Sequence, residues 1–286
     1  MVRRVALIVL GMAVLAAPLV TAGPAPAARL PKGCVLKPHG KCAKANLAGR
    51  KLSGTNLTGI NLSGARLTGA NLAFADLAGA TLTGATLTRA NVSGANLAEA
   101  NLTGVKAPGA NFRGSILTGA GLTNGNLTKA NLHGAYLPGA FLYRAKLFAA
   151  DLGTTDLAFA NLSGANLGAA TVNDADLAAA DLSSANVSGA SLVGAFLSLA
   201  QFTRADLSGA NLAFADAAAV TLFGANLSNA NLSGADLHLA AFTDTNLLGA
   251  TAPGAVFGGA VFSNATCPDG TSSSSHNPQT CIGFGI

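Results

Sequence analysis

The chain is poor in most of the side chains that do chemistry. Its 286 residues include no Trp, two Tyr, four His and four Cys, and only 10% are charged. The histidines, His39, His133, His238 and His276, are scattered. A triad or an acid–base pair needs converging groups. None is legible, so no catalytic residue, metal site or cofactor is assigned and an enzyme is not expected. A phosphate-cradling loop is excluded too, because every Gly has a turn role. The scarcity of charge, with half the chain hydrophobic, hints at membrane in most proteins. Here the apolar residues follow a pattern that places them inside a soluble rod.

The pattern has a period of five. Every fifth residue from Leu47 to Phe262 is apolar, without a break. There are about 44 consecutive units; about 33 of the centres are Leu, and the residue two before is Ala in about 35. One residue before the centre is usually Asn or Asp. Ala45-Asn46-Leu47-Ala48-Gly49 and Ala165-Asn166-Leu167-Gly168-Ala169 show the unit. A helix face needs apolar residues at three- and four-residue spacing, and a half-buried strand needs alternation. A period of five therefore requires a bend in every unit. Gly49, Gly54, Gly59, Gly64 and Gly69, two after the centre, permit the positive φ of a tight turn. One unit cannot bury its Leu alone. Stacked units can, with Leu and Ala inward and the other three positions outward. Each buried Leu contributes roughly 1.5–3 kcal/mol before entropy is charged against it.

This A-(N/D)-L-x-x unit resembles that of the pentapeptide-repeat family, over about residues 45–265. The resemblance implies an all-β fold: a right-handed quadrilateral parallel β-helix, a solenoid with one unit per face. Four units per coil would give about 11 coils and, at about 4.8 Å per coil, a rod about 50 Å long. Ala107, Ala217 and Ala252 underfill the centre, and two of them precede Pro108 and Pro253. Small voids or local bends are expected there.

The ends depart from the repeat. Arg3 and Arg4, the apolar run Val5 to Val20 with Gly11 and Pro18, and the small residues after it read as a signal peptide over residues 1–27. A membrane anchor is the rival, for which the run is short and interrupted. Residues 28–44 are expected to form an N-terminal cap, 45–265 the β-helix and 266–286 a C-terminal cap. The cysteines are even in number and confined to the two ends, as in an oxidising compartment. Cys42 and Cys267 would stand at opposite ends of the rod, whereas a disulfide needs Cα atoms within about 7 Å. Cys34–Cys42 and Cys267–Cys281 are the expected pairs. Metal binding is the rival, but the spacings do not suit zinc. The ending, Thr266-Cys267-Pro268-Asp269-Gly270 through Thr280-Cys281, resembles the tail of secreted actinobacterial pentapeptide-repeat proteins. Secretion to the extracellular space follows from this reading.

Charge is unevenly placed. From Arg29 to Ala150 the side chains sum to about +12, and from Asp151 onward to about −9. That suits an anionic partner at the N-terminal half or head-to-tail association of rods; drift in a duplicated array is the alternative. Residues about 20 apart fall on one face of a four-unit coil. Arg66, Arg89, Lys106, Lys129 and Lys146 then form a basic stripe able to track a polyanion, with salt-sensitive affinity. A solvated face is the plainer reading. In a secreted protein a cell-wall polymer is a better partner than nucleic acid. A second face collects Ile116, Tyr136, Phe159, Phe196, Leu199, Leu239 and Val256, as a partner or dimer surface would. Near the middle, His133, Tyr136, Phe141, Tyr143, Arg144, Lys146 and Phe148 interrupt a small-residue surface and make a candidate partner patch.

The expected function is that of a secreted, non-enzymatic scaffold or binding protein presenting flat faces to a cell-envelope or extracellular partner, with self-association possible and no stable membrane span in the mature chain. A second class is the DNA-mimicking, gyrase-binding protein of quinolone resistance that the family resemblance implies; only the acidic C-terminal half suits it. A third is an ice- or surface-binding protein, suggested by the column Ser63, Thr83, Thr103, Thr123 and weakened by Tyr143.

Overall fold

A computed structural model describes residues 30–275 and Cys281. The expected signal peptide lies outside the described residues, as does most of the tail beyond Ser275. Within them the chain is a four-sided parallel β-helix. The residue before each centre pairs with its counterpart 20 residues on, so four five-residue units close one coil. Four bridge columns mark the walls. The first runs from Lys41 to Val261, the second from Asn46 to Thr266, the third from Lys51 to Thr251 and the fourth from Asn56 to Val256. In chain order around the coil, the first wall is opposite the third and the second opposite the fourth. Most pairings are single rungs. Two longer strands, β1 (Ala241–Thr243) and β2 (Val261–Ser263), pair in parallel near the C-terminal end.

The hydrogen bonds explain why the unit has five residues and why Asn or Asp precedes the centre. The Leu67 N–H donates to the Thr86 carbonyl of the next coil (2.7 Å), and the Arg66 N–H to the Ala45 carbonyl of the previous one (2.9 Å). The Gly69 N–H donates to Thr88 (3.0 Å), and the Ala70 N–H closes the turn onto Leu67 (2.9 Å). The N–H just after the centre is left over. An Asn or Asp two residues earlier accepts it, as Asn61 does from Ser63 (3.0 Å) and Asp156 does from Ala158 (3.0 Å). That is an Asx turn. Across coils the same amides form ladders, with Asn91 donating to Asn71 and Asn111 to Asn91.

Every repeat turn from His39 to Asn264 has positive φ at its third position, as a type II turn requires. Glycine fills only about half of these positions. Ala149 (φ 54°), Phe74 (φ 58°) and Leu199 (φ 63°) hold the same conformation.

Leu and Ala fill the interior, and Phe112, Phe202 and Phe242 replace Leu without leaving it. The wall does not break at the underfilled centres Ala107 and Ala217, whose N–H groups still reach the next coil at 2.8 Å. Buried hydroxyls are satisfied: Ser115 donates to Phe112 and Thr155 to Leu132. A disulfide stands at each end of the described chain. Cys34–Cys42 and Cys267–Cys281 are bonded, with Cα atoms 4.4 and 5.2 Å apart. At the C-terminal end Phe242 stacks on Phe262 with centroids 4.7 Å apart. The chain then doubles back, Thr266 bridging Ser272 in antiparallel fashion.

Candidate binding faces

The second wall gathers the whole basic stripe. Arg66, Lys106 and Lys146 stand in its bridge column with Thr86 and Asn126 between them, and Arg89 and Lys129 occupy the turns of the intervening coils. No acid stands on this wall until Asp206. At a pitch of about 4.8 Å, this is a zigzag of five cations over roughly 20 Å.

The fourth wall, opposite, is built differently. Its bridge column reads Asn56, Asp76, Asn96, Ile116, Tyr136, Asp156, Asp176, Phe196, Asp216, Asp236 and Val256. Its turns add Glu99, Phe159, Leu199 and Leu239. Phe159 is 72% exposed and Leu199 63%. All seven apolar residues expected on one face share this wall. Ile116, Tyr136, Phe196 and Val256 occupy the position where Asn or Asp would satisfy a backbone N–H, so the fold does not ask for them. A net hydrogen bond of this kind contributes about 1 kcal/mol at most sites and less in water-exposed turns. From Asn56 to Gly259 this wall carries neither Lys nor Arg, a sorting of charge across the rod that the axial asymmetry of the sequence did not reveal.

The central patch is divided. Phe141, Tyr143 and Arg144 meet on the first wall, where the Arg144 guanidinium lies 5.0 Å from the centre of the Tyr143 ring. His133 is on the third wall, Tyr136 on the fourth, and Lys146 and Phe148 on the second. These residues girdle one stretch of the rod rather than forming one surface. The first-wall column Ser63, Thr83, Thr103 and Thr123 is interrupted by Tyr143 and again by Phe223. Two exposed rings on the third wall, Phe74 and Phe214, carried no signal in the sequence beyond replacing Gly in the turn.

Two histidines meet carboxylates. His133 Nδ1 lies 3.5 Å from Asp151 and His238 Nδ1 2.8 Å from Asp236, each pair on the surface. Asp236 is held below its ordinary pKa, first by the His238 backbone N–H, then by the imidazole, against a smaller opposing effect of burial. No cluster of three metal-ligating side chains occurs among the described residues. No helix among them is long and apolar enough to cross a membrane.

Stacked coils of four five-residue units, with Leu inside and Asn or Asp before many of the turns, define a parallel β-solenoid. The family model for pentapeptide repeats matches in 8 copies that together span residues 41–158, 160–198 and 200–252. The chain belongs to the pentapeptide-repeat family, and with it goes the right-handed β-helix. Among solved structures it is similar to HetL, a pentapeptide repeat protein of the cyanobacterium Nostoc involved in heterocyst differentiation regulation. The two are 32% identical over 78% of this chain and 92% of that one, with a TM-score of 0.38. QnrB1, a plasmid-mediated fluoroquinolone resistance protein, is 18% identical over 73% of this chain and 90% of its own, with a TM-score of 0.37. A thylakoid-lumen pentapeptide repeat protein of Arabidopsis thaliana is 30% identical over 37% of this chain and 66% of its own, with a TM-score of 0.19. No curated protein matches the sequence.

Proposed function

We propose that this protein is a secreted, non-enzymatic scaffold that presents flat walls to an anionic polymer of the cell envelope. The reading takes residues 1–27 as a cleaved signal peptide, 28–44 and 266–286 as caps, and the body as a rod about 50 Å long at about 4.8 Å per coil, or about 11 coils. The observation that carries it is the second wall, where Arg66, Arg89, Lys106, Lys129 and Lys146 follow one another over successive coils with no acid among them. Cations at fixed intervals on a rigid face suit a repeating polyanion, which gains affinity by releasing counterions. The disulfides at both ends are compatible with an extracellular setting.

Binding of a purified anionic wall polymer tests this directly. Affinity should fall steeply with salt, and Lys106→Glu with Lys129→Glu should lower it at least tenfold. Binding that ignored both changes would remove the second wall as the site.

The fourth wall favours a different partner class. Its Asp column and the absence of Lys and Arg from Asn56 to Gly259 suit a basic, DNA-binding protein surface, the gyrase-type reading. Inhibition of DNA supercoiling by micromolar protein in a purified assay would put that reading first; none at that concentration would retire it.

A further inference from the structure

Charge on this rod is sorted across its section as well as along its axis. The second wall carries five cations and the acids Asp206 and, at its last turn, Asp269, whereas from Asn56 to Gly259 the fourth carries Asp76, Glu99, Asp156, Asp176, Asp216 and Asp236 and no Lys or Arg. The first and third walls carry both signs. The fourth wall also raises Phe159, Leu199 and Leu239 above its surface at every second coil, with Ala179 and Ala219 between them. From these observations we propose that the rods associate side by side, the second wall of one copy against the fourth wall of the next.

A second copy is the occupant that the geometry favours. Two copies share one coil pitch by construction, so a charge pairing made at one level is repeated at the next. The register can be read from the columns. With parallel axes and a shift of four coils, Arg66 comes opposite Asp156, Arg89 opposite Asp176, Lys129 opposite Asp216 and Lys146 opposite Asp236. The remaining cation, Lys106, faces Phe196. At that shift, about 19 Å at about 4.8 Å per coil, Asp206 lies beyond the overlap and meets no acid. The unshifted register sets only three cations against acids and brings Asp206 against Asp216. The shifted register therefore wins on both counts.

The two walls differ, so the contact is heterologous. Each copy that joins leaves one wall of each kind free, and the assembly grows as a staggered row rather than closing as a dimer. Exposed ion pairs are individually weak and are screened by salt. The row should form at low ionic strength and disperse as salt is raised. Nothing here depends on whether a polyanion binds the second wall.

Sedimentation of the purified, disulfide-bonded chain tests this with no other component present. At low salt its average mass should rise with concentration past that of a dimer, and it should return to a single chain at about 0.5 M salt, where screening acts within a few ångströms. Two double variants fix the faces: Lys129→Gln with Lys146→Gln, and Asp216→Asn with Asp236→Asn. Each should sediment as one chain. Mixed in equal amounts they should form a pair and stop there, because each supplies one intact wall. Circular dichroism like that of the parent would show both are folded. A parent that stays a single chain at low salt would overturn the proposal. So would a Lys→Gln variant that still self-associates, since the fourth wall would then be pairing with itself. Either failure leaves the polyanion reading standing, because that is measured by polymer binding.

Discussion

The ring of Phe74 lies across Gly94, one coil further on: a Cβ placed on Gly94 would come within 2.5 Å of a ring carbon. His39 covers Gly59, Phe214 covers Gly234 and Leu239 covers Gly259 in the same way. At these four sites a bulky residue at the third turn position leans toward the C-terminal end and rests on a glycine 20 residues later, whereas Phe159 and Leu199 are followed there by Ala179 and Ala219. Glycine at such a site is there for space as well as for positive φ. Gly94→Ala should therefore lose more than Gly69→Ala, which has the same φ of 63° and nothing within 4 Å. The backbone cost, roughly 1–2 kcal/mol, is common to both. The excess at Gly94, about 0.5–1 kcal/mol for an off-rotamer ring, should vanish when Phe74 is also Ala. Thermal midpoints of the four variants would measure it, and equal losses at the two glycines would show that the ring swings aside freely.

Ala149 holds φ at +54°, a conformation that costs an Ala side chain and not a Gly. Ala149→Gly should relieve roughly 1–2 kcal/mol of steric cost while giving back about 0.5–1 kcal/mol through the freer unfolded chain. A net gain of several tenths of a kcal/mol is expected, with the urea midpoint moving up. Ala150→Gly, at a buried inward position, should move it down. A midpoint that fell for Ala149→Gly would mean that the unfolded-state term dominates.

The spacing of the sequence contains much of this structure, because a rigid unit length leaves few choices. Once four units make a coil, Arg66, Lys106 and Lys146 must share a column, and Cys34 can reach Cys42 but not Cys267. Proximity along the chain was a poorer guide. His133 and Phe148 are less than one 20-residue coil apart, so the chain carries them to different walls. The turns were only partly legible. Glycine signalled positive φ where it occurs, but hydrogen bonds to adjacent coils impose the same φ on Phe74, Ala149 and Leu199. The role of Asn and Asp was hidden for a related reason. Surface position explains their polarity, but only the leftover N–H after each centre explains why Asp236 and Asn231 are acceptors at that exact place in the unit.

The C-terminal disulfide joins Cys267 to Cys281, 14 residues apart in sequence. Replacing Cys267 and Cys281 together by Ser should cost about 3 kcal/mol by the chain-entropy account. In a solenoid the loss should be local, since each coil contacts only its neighbours. Hydrogen exchange should quicken at Phe262 and Ala265, beside the Phe242 stack, and stay unchanged at Leu147 and Leu152. Uniform quickening along the rod would mean that the array unfolds as one unit and that the cap governs its global stability.

Asp236 offers a test of what lowers a surface carboxyl. Its Oδ1 accepts from the His238 N–H at 3.1 Å and lies 2.8 Å from the imidazole Nδ1. The backbone contribution is the larger, and both hold the pKa below the ordinary value near 3.8. A carboxyl depressed on folding stabilises the fold above its ordinary pKa, and that contribution is lost as pH falls through the depressed value. The carboxyl is nearly half exposed, so its share in stability is small. His238→Ala keeps the backbone N–H and removes the imidazole. The Asp236 carboxyl, followed by its carbon shift in an NMR titration, should rise only part of the way toward 3.8. A complete return would assign the depression to the imidazole, and the Asx turn would then hold the backbone in place without tuning the acid that makes it.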